Sequence, residues 1–172
     1  MPSFTPTSVD HLQQFMESEA VPLRRAVTAV GGRTALRCGF PLQRDATEID
    51  MTSLKSVVDY PARDMTITVE AGLGVAQLQT LLAAERQRLA IDIAQPARAT
   101  IGGAIATNTS GFRRFGHGTF RDYLIGVTAI DGQARQYHAG GRVVKNVAGY
   151  DLCKLLIGSL GTLGIITQVT LK

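Results

Sequence analysis

The sequence PARATIGGAIATNTSG, residues 96–111, determines how the rest of the chain is interpreted. Its adjacent Gly102 and Gly103 carry no Cβ atoms, so a ligand can approach the main chain closely there. Apolar residues at near-helical spacing predict a short helix that starts at the glycine pair: Ile101, Ala104 and Ile105. The free amides and the dipole at the start of such a helix favour an anion. Hydroxyl groups that add neutral donors are on Thr100, Thr107, Thr109 and Ser110.

The same stretch has a second interpretation that its composition leaves open. A buried helix also uses glycine wherever it packs closely against another element. The glycine pair is therefore either a ligand contact or a packing contact, and the surrounding sequence has to separate the two.

Composition indicates a globular protein whose 172 residues form one domain or two small lobes sharing a core. Hydrophobic residues make up 45% of the chain, and its 18 glycines indicate many tight turns or loops that approach a ligand. Eighteen basic and fourteen acidic residues give a net charge of +4, spread along the chain. This balance suits an anionic small ligand and argues against nucleic-acid binding, for which basic residues cluster.

Cysteine and histidine usage argues against a metal site or a disulfide framework. Cys38 and Cys153 are the only cysteines, and they lie far apart without a CxxC motif. His11, His117 and His138 are scattered along the chain. The N-terminus shows no basic segment followed by an apolar run, and no apolar stretch approaches the length of a membrane span. We therefore expect a cytoplasmic protein without a metal site or membrane insertion.

Hydrophobic periodicity predicts a mixture of helices and strands. The predicted helices cover residues 9–19, 75–89 and 152–157, in addition to the short helix after residue 100. The predicted strands cover residues 26–30, 48–51, 57–58, 65–71, 123–130, 133–137 and 165–171. The Asp131-Gly132 dipeptide between two of these strands is typical of a hairpin turn that needs a positive φ.

A glycine pair follows the first long strand directly. Gly31 and Gly32 allow consecutive amides to form an anion-binding nest, to which Arg33 adds a charge and Thr34 a hydroxyl. A glycine pair in this place is also typical of an ordinary turn, so the signal is weak alone.

Further glycine-bounded loops at residues 140–151 and 158–164 strengthen this interpretation. Several such loops beside strands and short helices indicate a ligand too long for one nest, such as a dinucleotide. The GxGxxG fingerprint of a Rossmann fold is absent, so another fold has to hold the nucleotide.

The segment FRRFGHGTFRD, residues 112–122, combines positive charge, aromatic rings and glycines. Such a loop either brackets a planar ring system and its phosphates or is a solvated surface loop. The segment alone favours neither.

Four ordered motifs resemble the FAD-binding domain of flavoproteins of the p-cresol methylhydroxylase and vanillyl-alcohol oxidase type. They are residues 96–111, GTFRD at 118–122, GRVVKNVAGYDL at 141–152 and GSLGTLGII at 158–166. Within that family the chain is most similar to the FAD-binding subunit of bacterial glycolate oxidase. The resemblance implies one domain over residues 1–172 with an α+β fold of two lobes. A small N-terminal α/β lobe covers approximately residues 1–60, and a larger mixed-sheet lobe covers residues 61–172.

The resemblance also implies which residues contact FAD, which we expect to be held non-covalently. The first pyrophosphate loop would comprise Val30, Gly31, Gly32, Arg33 and Thr34. The residues that would run along the pyrophosphate and towards the flavin are Thr100, Ile101, Gly102, Gly103, Ala106, Thr107, Asn108 and Gly111, with Pro96 shaping the entry to this segment. A loop beside the flavin would comprise His117, Gly118 and Thr119, with Lys145 and Gly149 near the cofactor. Main-chain groups of Gly164, Ile165 and Ile166 would lie against the ribose and adenine.

Three features depart from the family pattern, one of which is Leu160, where some relatives carry a glutamate in the fourth motif. Many members carry a third glycine where this chain has Arg33, which either adds a phosphate contact or crowds the nest. Similar glycolate oxidase subunits continue into a cap domain that helps form the substrate site, whereas this sequence ends at Lys172. No catalytic residue is assigned, since Asp122, Asp151 and His117 each have a structural explanation at least as good as a catalytic one.

The function implied is that of an FAD-binding module of a 2-hydroxy-acid oxidoreductase acting on CH–OH donors. It would pass electrons through FAD to a partner, with a second flavoprotein subunit and an iron–sulfur subunit in the complex. Such partners could place the protein at the periphery of a membrane. The alternative is a non-catalytic assembly module that binds FAD or another nucleotide and lacks the substrate domain.

Overall fold

Two β-sheets organise the computed structural model of the chain, which describes residues 2–141 and 150–172. The smaller sheet is parallel, with strand order β1–β3–β2. The larger sheet has the order β4–β5–β8–β6–β7. The strands are β1 Ser3–Phe4, β2 Ala26–Val30, β3 Ala46–Asp50, β4 Val57–Asp59, β5 Ile67–Glu70, β6 Leu124–Ile130, β7 Gln136–Gly140 and β8 Ile165–Leu171.

The helices are short and connect or cover the strands. They are α1 Val9–Phe15, α2 Val75–Ala84, α3 Ile101–Thr107, α4 Arg114–His117, α5 Phe120–Tyr123 and α6 Cys153–Leu156. A π-helical turn, Met16–Ala20, continues α1, and 3₁₀ turns cover Met51–Ser53 and Ala62–Asp64. None of the helices in the described part of the chain has the length and hydropathy that a membrane span requires.

Two buried clusters form the core. One lies between α1 and the parallel sheet, where Leu12 and Ile49 are fully buried, and it also includes Ile130 and Ile165 of the larger sheet. The second cluster packs α2, α3 and α5 on the larger sheet. The two lobes therefore share apolar contacts. Since β4 already pairs with β5, the lobe boundary expected at about residue 60 falls just after the first strand of the larger sheet.

The α+β fold predicted from the sequence is confirmed, but the larger sheet is not mixed. Its four strand pairings are all antiparallel. The reason is that β8, the last strand of the described chain, lies between β5 and β6 and runs opposite to both. Sequence periodicity identified the strands of the larger sheet, although not β1 of the smaller one, and carried no information about this insertion.

The helix predicted over residues 75–89 ends at Ala84. The chain turns back after Arg86, which has a positive φ of 59°. The Gln79 side chain then bonds both main-chain groups of Leu89, accepting from its N–H at 3.3 Å and donating to its carbonyl at 2.8 Å. Leu89 is buried as the helical pattern required, but by an extended segment beside the helix.

The hairpin between β6 and β7 also differs from the prediction. Ala134, with φ 63°, has the positive φ that was expected at Gly132. The Asp131 carboxylate accepts from the N–H groups of Gln133 and Arg135, at 2.8 and 3.0 Å. The aspartate side chain therefore shapes a longer turn than a two-residue Asp-Gly loop, and β7 begins only at Gln136.

Candidate cofactor site

The helix α3 has one glycine facing inward and one facing outward. A Cβ on Gly102 would lie 2.7 Å from the Cβ of Ala71, at the end of β5, so Gly102 is a packing contact. Gly103 is exposed, and a Cβ there would meet only the Thr100 hydroxyl, at 3.1 Å. The two interpretations of the glycine pair thus each apply to one residue. The packing partner of Gly102 is a strand end and not a second helix.

The start of α3 does not present a row of free amides. The N–H of Ile101 donates to Leu73 O at 2.9 Å, and that of Gly102 donates to Ala71 O at 2.7 Å. Thr100 caps the helix and accepts from Gly103 N–H over a long 3.4 Å contact. The expectation of an anion site made by the helix start is therefore wrong in this form, because only the Gly103 amide is weakly held at the surface.

The loop at residues 31–34, which we call the first glycine loop, packs directly against the chain that enters α3. A Cβ on Gly31 would lie 2.1 Å from the Thr100 hydroxyl oxygen, and one on Gly32 would lie 1.7 Å from Arg98 O. Gly32 is therefore required for close approach of two main chains, and Gly31 for close approach to the Thr100 side chain. This contact brings two of the predicted cofactor-binding segments together at one end of α3.

The loop at residues 158–164, called here the last glycine loop, closes the other end of α3. Gly158 N–H donates to Ile105 O at 3.0 Å, and Leu160 N–H donates to Ala106 O at 2.8 Å. Carbonyl groups that a helix leaves unpaired at its C-terminus are thereby satisfied by this loop. Asn108 ends the helix with a left-handed φ of 50°. Two glycine-rich loops therefore converge on α3, which carries a glycine pair of its own.

The first glycine loop offers donors that the protein does not use. Within the described ranges, the main-chain N–H groups of Gly32, Arg33 and Thr34 donate to no protein acceptor. Successive amides of this kind, with a left-handed residue among them, form the concave nest that binds phosphate oxygens. Arg33 supplies that left-handed conformation, with φ 55°.

Two buried oxygens beyond the end of α3 also have no partner in the part of the chain that the structure describes. They are Asn108 Oδ1 and Ser110 Oγ. An unpaired buried polar atom costs roughly 1–3 kcal/mol, so such atoms ordinarily indicate a missing partner. Together with the free amides at residues 32–34, they fit a cofactor that carries phosphates at one end and hydrogen-bonding groups at the other.

The Arg33 side chain points to Glu48 on β3. Its guanidinium contacts both carboxylate oxygens, at 2.5 Å from Nη2 to Oε2 and 3.4 Å from Nη1 to Oε1. The hydrogen bond from Arg33 lowers the pKa of the Glu48 carboxyl, and the same bond raises the pKa of Arg33. The positive charge expected to join the nest is therefore already paired.

Residues 117–119 have internal roles in the structure. Thr119 caps α5 in a capping box. Its side chain accepts from the Asp122 N–H, and the Asp122 side chain accepts from the Thr119 N–H. Gly118 has φ 83°, and a Cβ there would lie 2.6 Å from Asp122 Oδ2. His117 is exposed, and its carbonyl accepts from the Tyr123 hydroxyl at 2.7 Å. Among the described contacts none joins these three residues to α3, so their place beside a flavin stays a prediction.

The remaining predicted residues are distributed around α3. Gly111 packs against Asp92, which accepts from Gly111 N–H through its carbonyl at 2.9 Å. Pro96 is exposed and its carbonyl accepts from Ala76 N–H. The Thr107 hydroxyl donates to Gly103 O at 2.9 Å. Lys145 and Gly149 lie outside the described residues.

The start of β8 runs past the end of β5. The pairing of β5 with β8 ends at Glu70 and Gln168, with one further bond from Ala71 N–H to Thr167 O. Gly164, Ile165 and Ile166 therefore lie beyond β5. Ile166 is buried in the same cluster as Ile101 and Ile105 of α3, so only main-chain groups of this segment are available to a ligand.

The described residues do not provide a metal site or an activated thiol. No three His, Cys, Asp or Glu side chains among residues 2–141 and 150–172 lie close enough to hold a metal ion. Burial raises the pKa of the Cys153 thiol to about 11, so it is protonated at neutral pH and is a poor nucleophile. Two surface cavities, of about 560 and 260 Å³, lie beside Tyr137 and Tyr60, and neither is lined by a predicted cofactor-binding residue.

Sequence reasoning missed four residues that position this site. Glu48 pairs with Arg33, and Asp92 holds the chain after α3 through Gly111 and a 2.9 Å ion pair with Arg113. Leu160 lay inside a quoted motif but was not assigned to the cofactor site, and Ser110 was named as a neutral donor but not as a residue that contacts FAD. Glu48, Asp92 and Leu160 each contact a residue that is distant in sequence, and Ser110 is marked only by its lack of a partner. No local sequence pattern indicates either property.

The chain is similar to known proteins along most of its length. The chain is similar to a D-2-hydroxyglutarate dehydrogenase of Xanthomonas citri pv. viticola, with 34% identity over 97% of this chain and 35% of the relative. It is 30% identical to glycolate oxidase subunit GlcE of Escherichia coli, over 95% of this chain and 47% of that subunit. The chain therefore spans less than half the length of these relatives.

The fold is also found in a solved structure of alkyldihydroxyacetonephosphate synthase. The TM-score is 0.82 at 23% identity, covering 99% of this chain and 33% of the synthase. At that identity the likeness shows the fold alone. The sequence profile of the family described as FAD binding domain matches residues 3–140. This match covers most of the 172 residues and confirms the family inferred from the four motifs, so the chain belongs to the FAD binding domain family.

Proposed function

We propose that the chain is the FAD-binding part of an oxidoreductase that acts on 2-hydroxy acids. The observation that carries the proposal is the convergence of the first and last glycine loops on the glycine-containing helix α3, with unused donors at one end and unpaired buried oxygens at the other. This arrangement supports binding of an elongated ligand that has a phosphate group and a hydrogen-bonding ring edge. FAD has both.

In this proposal the first glycine loop binds the pyrophosphate through the amides of residues 32–34. The exposed main chain at Gly103 lies next to that loop through Thr100 and lets the cofactor pass closely over α3. Asn108 and Ser110 then supply hydrogen bonds to the polar groups farther along the cofactor. When bound, FAD accepts the two electrons that leave the hydroxy acid.

We propose that the cofactor is held non-covalently, by these hydrogen bonds and by main-chain contacts. Two named relatives are a glycolate oxidase subunit and a D-2-hydroxyglutarate dehydrogenase, which supports 2-hydroxy acids as the substrate class. We further propose a multi-subunit assembly like that of glycolate oxidase, with a second flavoprotein subunit and an iron–sulfur subunit. A cytoplasmic location at the membrane periphery, through these partners, completes the proposal.

The test is a visible absorption spectrum of the purified chain after addition of FAD and removal of the excess. Flavin bands near their usual wavelengths, released intact by acid denaturation and identified as FAD by mass, are expected. A folded chain that retains no FAD would contradict the proposal.

Activity is tested separately in the assembled protein. Glycolate, D-lactate and D-2-hydroxyglutarate are added anaerobically to the flavin-loaded chain together with its partner subunits, and bleaching of the flavin is followed. Reduction by at least one of these acids is expected. Flavin that stays oxidised with every acid and partner would instead favour a non-catalytic assembly module that binds FAD or another nucleotide.

A further inference from the structure

Arg33 occupies a backbone position that ordinarily favours glycine. Its φ of 55° is left-handed, which costs a non-glycine residue roughly 1 kcal/mol or more. The residue is also in the centre of the three unused amides of the first glycine loop. A conformation that is unfavourable for the residue, in a loop without internal main-chain bonds, needs support from elsewhere in the fold.

Glu48 is placed to give that support. It lies in the middle strand of the parallel sheet, fixed by pairing with Ser3 of β1 and Thr28 of β2. Its side chain is mostly covered, with 23% exposure, and receives the Arg33 guanidinium on both oxygens. Thr28 precedes Arg33 by five positions, so the loop folds back over the sheet to reach this carboxylate. Glu48 therefore lies on a strand that is paired on both sides, whereas the loop is not part of a regular element.

Two roles for the guanidinium predict opposite effects of Glu48. If Arg33 contacts phosphate with its charge, Glu48 competes with the ligand, and removing its charge strengthens binding. If the ion pair holds the loop in shape, removing the charge of Glu48 weakens binding.

We infer that Glu48 is a positioning residue: through its ion pair with the Arg33 side chain it holds residues 31–34 in the left-handed nest, so that Arg33 contributes its main-chain N–H and not its charge. The inference rests on the proposed FAD site. Glycine adopts a positive φ without help, whereas an arginine there needs an external contact.

The experiment measures the Kd for FAD by fluorescence titration of the whole chain for wild type, E48Q, R33G, R33A and E48Q/R33G. Glutamine keeps the shape of Glu48 and removes its charge. We expect E48Q to weaken binding about two- to fivefold, the range of an exposed ion pair, and the effect to shrink at high salt. R33G is expected to bind within about twofold of wild type, and R33A to bind more weakly than R33G, because alanine keeps the unfavourable φ and loses the ion pair.

The double variant separates positioning from a direct charge effect. In the R33G background E48Q is expected to leave the Kd unchanged or slightly lower, since no guanidinium remains to be held. Tighter binding by E48Q alone, or an equal weakening by E48Q with and without Arg33, would overturn the inference. Melting temperatures of all variants are measured alongside, and a Kd change that only follows global stability would overturn it as well.

Failure of this inference is distinguishable from failure of the proposed function. A wild-type chain that does not bind FAD contradicts the function. A wild-type chain that binds FAD while E48Q binds equally well or better contradicts only the role of Glu48.

Discussion

The two ends of α3 are built on different principles, although both lie in the same glycine-rich stretch. At the N-terminal end, Gly31 and Gly32 press their main chains against residues 98–100, and Gly102 presses against Ala71. At the C-terminal end, Asn108 and Ser110 keep buried oxygens without partners in the described chain. At the first end the glycines serve packing and only the main-chain amides of residues 32–34 stay unused, whereas at the second end the unused groups are buried side-chain oxygens. Glycine content alone therefore does not mark where a ligand binds.

The largest expected effect is a loss of stability at the N-terminal end of α3, where the first glycine loop packs against residues 98–100. Gly32→Ala places a Cβ 1.7 Å from Arg98 O, a main-chain atom that cannot rotate away. We expect a loss of about 3 kcal/mol or more, or failure to fold, measured by urea unfolding. Gly116→Ala is the matched control, because a Cβ there meets no atom within 4 Å. Equal stability of the two variants would show that the contact between the loops is not tight.

The next effect separates affinity from stability at the exposed surface of α3. Gly103→Val adds a branched side chain where the main chain is open, and its Cβ meets only the Thr100 hydroxyl. We expect FAD binding to weaken at least about tenfold while the melting temperature changes by only a few degrees. Gly103→Ala, with a smaller side chain, should lose less affinity. Wild-type affinity in the valine variant would mean that the cofactor does not pass over Gly103.

The smallest effect is expected beyond the C-terminal end of α3. The substitution there should maintain or raise the stability of the FAD-free protein but lower its affinity for FAD. Ser110→Ala removes a buried hydroxyl that has no described partner, so the FAD-free protein should keep its stability or gain up to ~1 kcal/mol. FAD affinity should fall about three- to tenfold, because the cofactor loses a hydrogen bond. Urea unfolding without FAD and titration with FAD give the two values. Lower stability together with unchanged affinity would mean that Ser110 serves the fold and not the ligand.

Much of the fold was predictable from local sequence because strong periodicity reports burial directly. The strands at residues 26–30 and 165–171 have the predicted bounds, and α3 begins within one residue of the glycine pair. The errors lie where a distant or unexpected side chain decides the local structure. Leu89 is held beside α2 by the side chain of Gln79 and not by a continued helix, and Asp131 shapes a turn that had been assigned to Gly132.

The candidate site shows the same division. The four motifs were sufficient for the family, since their order and spacing are properties of the chain itself. They did not distinguish Gly102 from Gly103, although the first is buried against Ala71 and the second is exposed. They also gave no indication that the charge of Arg33 is engaged by a strand fifteen residues away.

The sequence by itself determined the family, the cofactor class and the order of the longer helices and strands, because each of these is encoded in local spacing, in residue type or in motifs read in order; it did not predict β1, α4 or α5. Only the tertiary structure decided which glycines pack and which are exposed, and which amides and oxygens the protein leaves unused. The physical reason is that a polar group or a missing Cβ has a defined role only relative to its neighbours in space. Those neighbours come from β2, β5 and the last glycine loop, which the chain brings together only on folding.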